Sequence, residues 1–170
     1  MAQKESARDD GIDFIIIVTP NNVHFPIAKT FLENGIHVVC DKPLALTSEQ
    51  GKELKAITEK NSLLFCVTYT YLGYPMVRQM REMIQHGDIG AVRVVTGRYI
   101  QGWLATELEI DEAQKSIWRC DPEQAGISNA VGDIGTHLEN LITYTTGLRI
   151  ESLCAALRPV GKYRTLDNEA

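Results

Sequence analysis

Asp13-Phe14-Ile15-Ile16-Ile17-Val18-Thr19-Pro20-Asn21-Asn22-Val23-His24 is the stretch that decides the fold. An unbroken apolar run from Phe14 to Val18, followed by helical periodicity, predicts a central parallel strand buried on both faces. Thr19–Asn22 turn the chain into a helix predicted over residues 23–34, where Ile27, Phe31 and Leu32 recur at helical spacing and Gly35 ends it. The unit then repeats. A strand over 36–40 leads through Asp41-Lys42-Pro43 into a helix capped by Thr47 and running to about Lys60, and a third strand covers 63–68. Strands alternating with helices imply right-handed crossovers and a parallel sheet. Ligands bind such sheets beyond the carboxyl ends of the strands, so residues 19–22 and 41–43 share one functional edge.

Downstream the alternation stops. A helix is predicted over 75–85, with Met76, Met80, Met83 and Ile84 on one stripe that suits core packing, and Gly87 as its stop. Residues 91–99 alternate like a half-buried strand, and a long polar stretch over 106–129 carries Trp118, Arg119, Asp121 and Pro122. A helix over 134–145 ends at Gly147, residues 149–160 look like a strand, and the tail 161–170 offers no closing element. A helix followed by strands without βαβ order suggests a second, α+β domain with an antiparallel or mixed sheet, divided from the first near 69–73. A central strand needs neighbours on both sides, so a fragment cut at both ends from a longer protein is expected.

The composition, with 44% hydrophobic and 23% charged residues, is that of a globular protein and excludes disordered or fibrous classes. A net charge of −5 without a Lys/Arg cluster argues against nucleic acid and anionic membrane as partners. The longest aliphatic run is far too short to span a bilayer, and the polar first dozen residues are not a signal peptide. Cys40, Cys66, Cys120 and Cys154 lack CxxC spacing and read as reduced, mostly buried thiols of a cytoplasmic protein.

Two constellations could do chemistry. Lys42, in the loop after a buried strand, could stabilise a substrate alkoxide, or could be a solvated lysine in a turn. Asp133 and His137 are four apart and share a helix face, so His137 could be a general base beside a carboxylate. Equally, Asp133 could be a helix cap and His137 a half-buried histidine bonded to backbone. Asn21, Asn22 and His24 lie at a helix N-terminus, which attracts ligand oxygens or is simply capped. Trp118-Arg119 could line a pocket or pack a domain junction. His37 and His86 read as structural. Metal-dependent hydrolysis through Asp133, His137 and His24 lacks further ligands at metal-site spacing, so no metal is expected.

Taken together, the motifs resemble the Gfo/Idh/MocA family of NAD(P)-dependent oxidoreductases. The matching segments are Thr19-Pro20-Asn21-Asn22-Val23-His24, Asp41-Lys42-Pro43-Leu44, Gly87-Asp88-Ile89-Gly90, Trp118-Arg119-Cys120-Asp121-Pro122 and Asp133 to His137. They stand in the family's order and span residues 13–158.

The resemblance implies an α/β fold, the C-terminal part of a Rossmann-type parallel sheet (residues 1–69), followed by part of an α+β domain with an open, largely antiparallel sheet (70–170). It implies Lys42, Asp133 and His137 as the catalytic set. Thr19, Pro20, Asn21, His24 and Asp41 are implied as contacts of NAD or NADP, and Trp118 and Arg119 as substrate contacts. The implied substrate is a sugar, polyol or inositol-like alcohol, and the implied assembly a homo-oligomer. Three departures stand out. Asp41 replaces the usual Glu, Tyr69-Thr70-Tyr71 lacks the usual Arg, and the sequence contains no G-x-G-x-x-G pyrophosphate turn. The competing expectation is a non-catalytic sugar-binding or assembly module of the same fold.

Overall fold

The computed structural model describes residues 1–106, 108 and 117–170; part of the long polar stretch, 107 and 109–116, lies outside the described residues. The chain forms two compact units, residues 1–68 with 121–127, and residues 69–120 with 128–170.

In the first unit, α1 (Ala2–Ser6) precedes β1 (Phe14–Ile17), α2 (His24–Glu33), β2 (His37–Cys40), α3 (Ser48–Lys60) and β3 (Phe65–Val67). The strands form a parallel sheet in the order β1-β2-β3. Ile15 pairs with Val38, Ile17 with Cys40 and Val38 with Phe65, which puts these side chains on one face because strand residues alternate. That face meets Ala28, Phe31 and Leu32 of α2 and Leu54 of α3 in one core, to which Ala2 of α1 also belongs. Each fully buried large aliphatic side chain there contributes about 1.5–3 kcal/mol. Thr47 caps α3, its hydroxyl accepting from the Gln50 amide at 3.3 Å.

β1 lies at the edge of the sheet, and helices cover one face only, leaving Phe14 52% and Ile16 56% exposed. The helix after β1 starts at His24, within a residue of expectation, and a 3-10 turn over Asn21–Val23 leads into it.

A short helix, α5 (Pro122–Ala125), joins this unit. Asp121 caps it, with Oδ1 accepting from the Glu123 amide at 2.9 Å and Oδ2 from the Gln124 side chain at 2.7 Å. These donors hold the Asp121 carboxyl below its ordinary range.

In the second unit, α4 (Pro75–His86) ends at Gly87, whose φ of +80° is the left-handed stop its sequence suggested. It packs on α6 (Thr136–Thr146), and the Arg81 guanidinium sits 4.3 Å from the Tyr144 ring centre. One expectation fails here. The Met stripe is not core, because Met76, Met80 and Met83 of α4 are exposed. Segments 91–99 and 149–160 join no ladder among the described residues; the unit shows one isolated antiparallel bridge, Arg158 with Glu169. Alternation describes a residue's two faces, whereas a strand requires a neighbour to bond. Val94, Ile100, Ile150 and Leu153 accordingly remain exposed. The tail also differs from expectation, since Arg164, Leu166 and Asp167 are buried.

All four cysteines are free, but only Cys40 is buried, while Cys66 and Cys154 are exposed. Burial pushes the Cys40 thiol up to about 12, so it is inert as a nucleophile. Among the described residues no helix is long and apolar enough to cross a membrane.

Candidate active site

At the carboxyl edge of the first unit's sheet, one imidazole holds two loops. His24 is fully buried, with Nδ1 2.9 Å from the Pro43 carbonyl and Nε2 3.0 Å from the Thr19 carbonyl. A neutral ring donates to one of these oxygens and an imidazolium to both. His24 thus ties the turn after β1 to the turn after β2. Both ring nitrogens are engaged by these two loops, so neither is left for a metal ion. Among the described residues, no three of His, Cys, Asp and Glu gather as a metal site would need.

Asn21 is likewise buried, and its amide donates to the Ala125 carbonyl at 2.9 Å. Leu46, just beyond Asp41-Lys42-Pro43, lies against Gly126, where a Cβ would come within 2.7 Å of Leu46 Cδ2. Three motifs distant in sequence are therefore interlocked in this one unit. Asp41 Oδ1 accepts from the Lys42 amide at 2.8 Å and from the Thr68 hydroxyl at 2.9 Å. The Thr68 contact was not anticipated, although its place just after β3, on the same sheet edge, was a usable signal. Lys42 is half-buried in this loop.

The residues at this edge fit the nicotinamide half of a dinucleotide. The Thr19 hydroxyl is buried and has no hydrogen-bond partner among the described residues, while Thr19 and Pro20 themselves stay partly accessible. Such an atom costs free energy unless a ligand group satisfies it. A carboxamide has the donors and acceptors to do so.

In the second unit, Asp133 sits in a single π-helical turn, Val131–Gly135, that runs directly into α6. Such turns are frequent at functional sites because they displace one residue from the regular ladder. The alternative of Asp133 as a helix cap is not what the structure shows. The capping carboxylate is Asp167, accepting from the Asn129 amide at 2.8 Å, the Val131 amide at 3.1 Å and the Ser128 hydroxyl at 3.1 Å. Gly132 N in turn donates to Ser128 Oγ at 3.2 Å. Asp133 pairs with Arg119, Nε to Oδ1, at 3.9 Å. The Arg119 guanidinium also lies 4.4 Å from the centre of the Trp118 ring, and its carbonyl accepts from Asn129 at 2.9 Å. Trp118, Arg119 and Asp133 are therefore brought together.

His137, in the first turn of α6, is walled by phenols. Its ring centre is 4.7 Å from that of Tyr71, 5.7 Å from Tyr69 and 6.4 Å from Tyr99. Burial leads in pushing the Tyr69 phenol up, with the Glu139 carboxylate adding to it. A pocket of about 390 Å³ is lined by Tyr99, Gln101, Trp103, Asp133 and Leu138, among others. Asp167, Tyr71 and Tyr99 were absent from the expected site because no local pattern marks a cap or a ring wall supplied from elsewhere in the chain.

Comparison with known proteins divides the chain near residue 69 as well. Residues 3–69 match an oxidoreductase family with an NAD-binding Rossmann fold, and residues 77–170 match the GFO/IDH/MocA C-terminal domain. The chain is 42% identical over 175 aligned positions to an uncharacterised oxidoreductase of Bacillus subtilis, covering 100% of this chain and 44% of that protein. It is 34% identical to the levoglucosan dehydrogenase of Pseudarthrobacter phenanthrenivorans, covering 82% and 34% of the two chains. Among solved structures, an inositol dehydrogenase homologue from Azotobacter vinelandii complexed with NAD+ superposes with a TM-score of 0.80 at 37% identity, covering 86% of this chain and 37% of that one. The chain thus spans less than half the length of these relatives.

Proposed function

The chain belongs to the Gfo/Idh/MocA oxidoreductase family, and from that premise we propose that the protein oxidises a CH–OH group of a sugar, polyol or inositol-like alcohol with NAD or NADP. The observation that carries the reading is the pairing of Asp133 with Arg119 on the turn that leads into His137. When bound, the nicotinamide supplies the hydride acceptor. His137 takes the proton from the substrate hydroxyl as hydride leaves its carbon, Lys42 stabilises the developing alkoxide, and Asp133 orients the substrate or the base. Thr19, Pro20 and Asp41 serve the nicotinamide side, with Asn21 and His24 setting the loops that carry them. Trp118 and Arg119 serve the substrate side.

The same reading assigns residues 1–69 to the C-terminal half of a Rossmann domain and 70–170 to part of a substrate and oligomerisation domain. In that domain, segments 91–99 and 149–160 are strands of an open antiparallel sheet that supports a homo-oligomer. The exposed Val94, Val95, Ile150, Leu153 and Leu157, apolar side chains without a partner in the described residues, support this. Four free cysteines fit a reducing, cytoplasmic setting.

The test is reduction of NAD+ or NADP+ with a panel of cyclic and acyclic polyols. Lys42→Ala and His137→Ala should each cost about 10²–10⁴-fold in kcat. Wild-type rates in either variant would remove the assignment. The competing reading is a non-catalytic sugar-binding or assembly module of the same fold. Sugar binding by calorimetry that ignores NAD(P), without any reduction, would select it.

A further inference from the structure

The first amides of a helix have no acceptor within the helix itself. Ahead of the π turn those amides belong to residues 129–132, and one distant residue takes three of them. Asp167 Oδ1 accepts from the Asn129 amide at 2.8 Å, its main-chain carbonyl from the Ala130 amide at 3.0 Å, and its Oδ2 from the Val131 amide at 3.1 Å. The Gly132 amide goes to Ser128 Oγ at 3.2 Å, and the Ser128 hydroxyl donates to Asp167 Oδ2 at 3.1 Å. The Asp133 amide is then the first to find an acceptor along its own turn, the Asn129 carbonyl at 2.7 Å. Asp167 therefore marks where the helix begins. A second route also returns to Asp133. The buried Asn129 donates its side-chain amide to the Arg119 carbonyl at 2.9 Å, and Arg119 Nε lies 3.9 Å from Asp133 Oδ1. Asp167 itself is buried and fastened on either side. Arg164 donates to the carbonyls of Leu104 at 2.8 Å and Thr106 at 2.9 Å. The Asn168 side chain accepts from the Val160 amide at 2.6 Å and donates to the Val160 carbonyl at 3.1 Å.

We propose that Asp167 is a positioning residue for the reaction, fixing the register of the helix start and thereby the placement of Asp133 and His137. The proposal rests on the dehydrogenase reading above for what those two side chains do. Asp167 does not line the pocket that Asp133 lines, although its neighbour Asn168 does, so its effect is transmitted through the turn and through Arg119. The π turn holds one residue more than a regular α ladder takes up, which makes register the property most exposed to loss of the cap. Successive helix residues are turned by roughly 100° about the axis, so a slip of one residue swings Asp133 away from Arg119. Misplacing a reacting group by about 1 Å can cost about a hundredfold in rate.

The experiment compares Asp167→Ala, the milder Asp167→Asn, which keeps one acceptor oxygen, and Thr47→Ala, which removes the cap of α3 in the first unit. All are measured at a temperature where circular dichroism shows them folded. In magnetic resonance spectra of protein carrying carbon-13-labelled histidine, the His137 ring signal should move in Asp167→Ala and move less in Asp167→Asn. The signals of His24, His37 and His86 should stay in place, and Thr47→Ala should leave His137 unmoved. For NAD+ reduction with the polyol of the panel above that the wild type oxidises fastest, kcat should fall about 10–100-fold in Asp167→Ala, with KM changed far less. Thr47→Ala should keep the wild-type kcat. An unmoved His137 signal in the folded Asp167 variants overturns the proposal. So does an equal loss of kcat in Thr47→Ala, which would trace the effect to stability alone. Undiminished NAD+ reduction in both Asp167 variants removes the positioning role and leaves the dehydrogenase reading standing. A moved His137 signal in a protein that never reduces NAD+ keeps the control of register by Asp167 and removes the dehydrogenase.

Discussion

The side-chain amide of Asn21 donates to the carbonyl of Ala125 at 2.9 Å, across 104 residues of sequence. The bond joins the turn after β1 to the C-terminal residue of α5, and Asn21 is 8% exposed, so neither partner has easy recourse to water. Replacing Asn21 with Ala should cost about 1–3 kcal/mol, the penalty of a buried carbonyl left without its donor. Urea unfolding monitored by far-ultraviolet circular dichroism measures this, and an unmoved midpoint would show that the bond contributes nothing.

Gly126 follows α5 with φ +100° and ψ −162°, a conformation essentially reserved for glycine. Gly126→Ala adds that strain to the approach on Leu46 and should destabilise by about 1–3 kcal/mol. The Leu46 terminus can rotate away, so Leu46→Ala in the Gly126→Ala background should recover little of the loss. Full recovery in the double variant would assign the cost to the clash instead.

Asp167→Ala removes the acceptor of two backbone amides at the entry to the π turn. The expected loss is about 0.5–2 kcal/mol, the range for a helix cap. Hydrogen exchange should accelerate at Asn129 and Val131 ahead of the middle of α6. Uniform acceleration along α6 would mean that Asp167 acts on global stability alone.

The parallel sheet was legible because period and element order are local, and Phe14–Val18 with the following turn and helix show both. Thr47 and Gly87 were legible for the same reason, as residue types that end or begin a helix. What escaped is held by partners far along the chain. Nothing around Asp167 marks it as the cap of a turn beginning at Val131, and nothing around His24 shows that its two nitrogens meet Thr19 and Pro43. The Met stripe on α4 misled in the opposite sense, since amphipathic spacing identifies a face without saying what covers it.

Tyr99→Phe should lower the Tyr71 phenol from about 12 toward the ordinary tyrosine value of about 10, because the hydrogen bond to Tyr99 is the leading cause of the shift. A folded value raised above the unfolded one contributes stability that is present below about pH 10 and fades as pH climbs through about 12. Ultraviolet difference titration should show one fewer late-ionising phenol in the variant than in the wild type. The alkaline unfolding edge should move to lower pH with it. An unaltered titration would disconnect the two hydroxyls.

The bonds made by His24 and Asn21, with the fit of Leu46 at Gly126, have a consequence for engineering. Exchanging the turn after β1, the turn after β2 or residues 121–126 singly with a relative's would leave mismatched partners on the other two. Chimeras that retune cofactor or substrate preference should therefore transplant these three segments as a set, the way a lock is replaced together with its key.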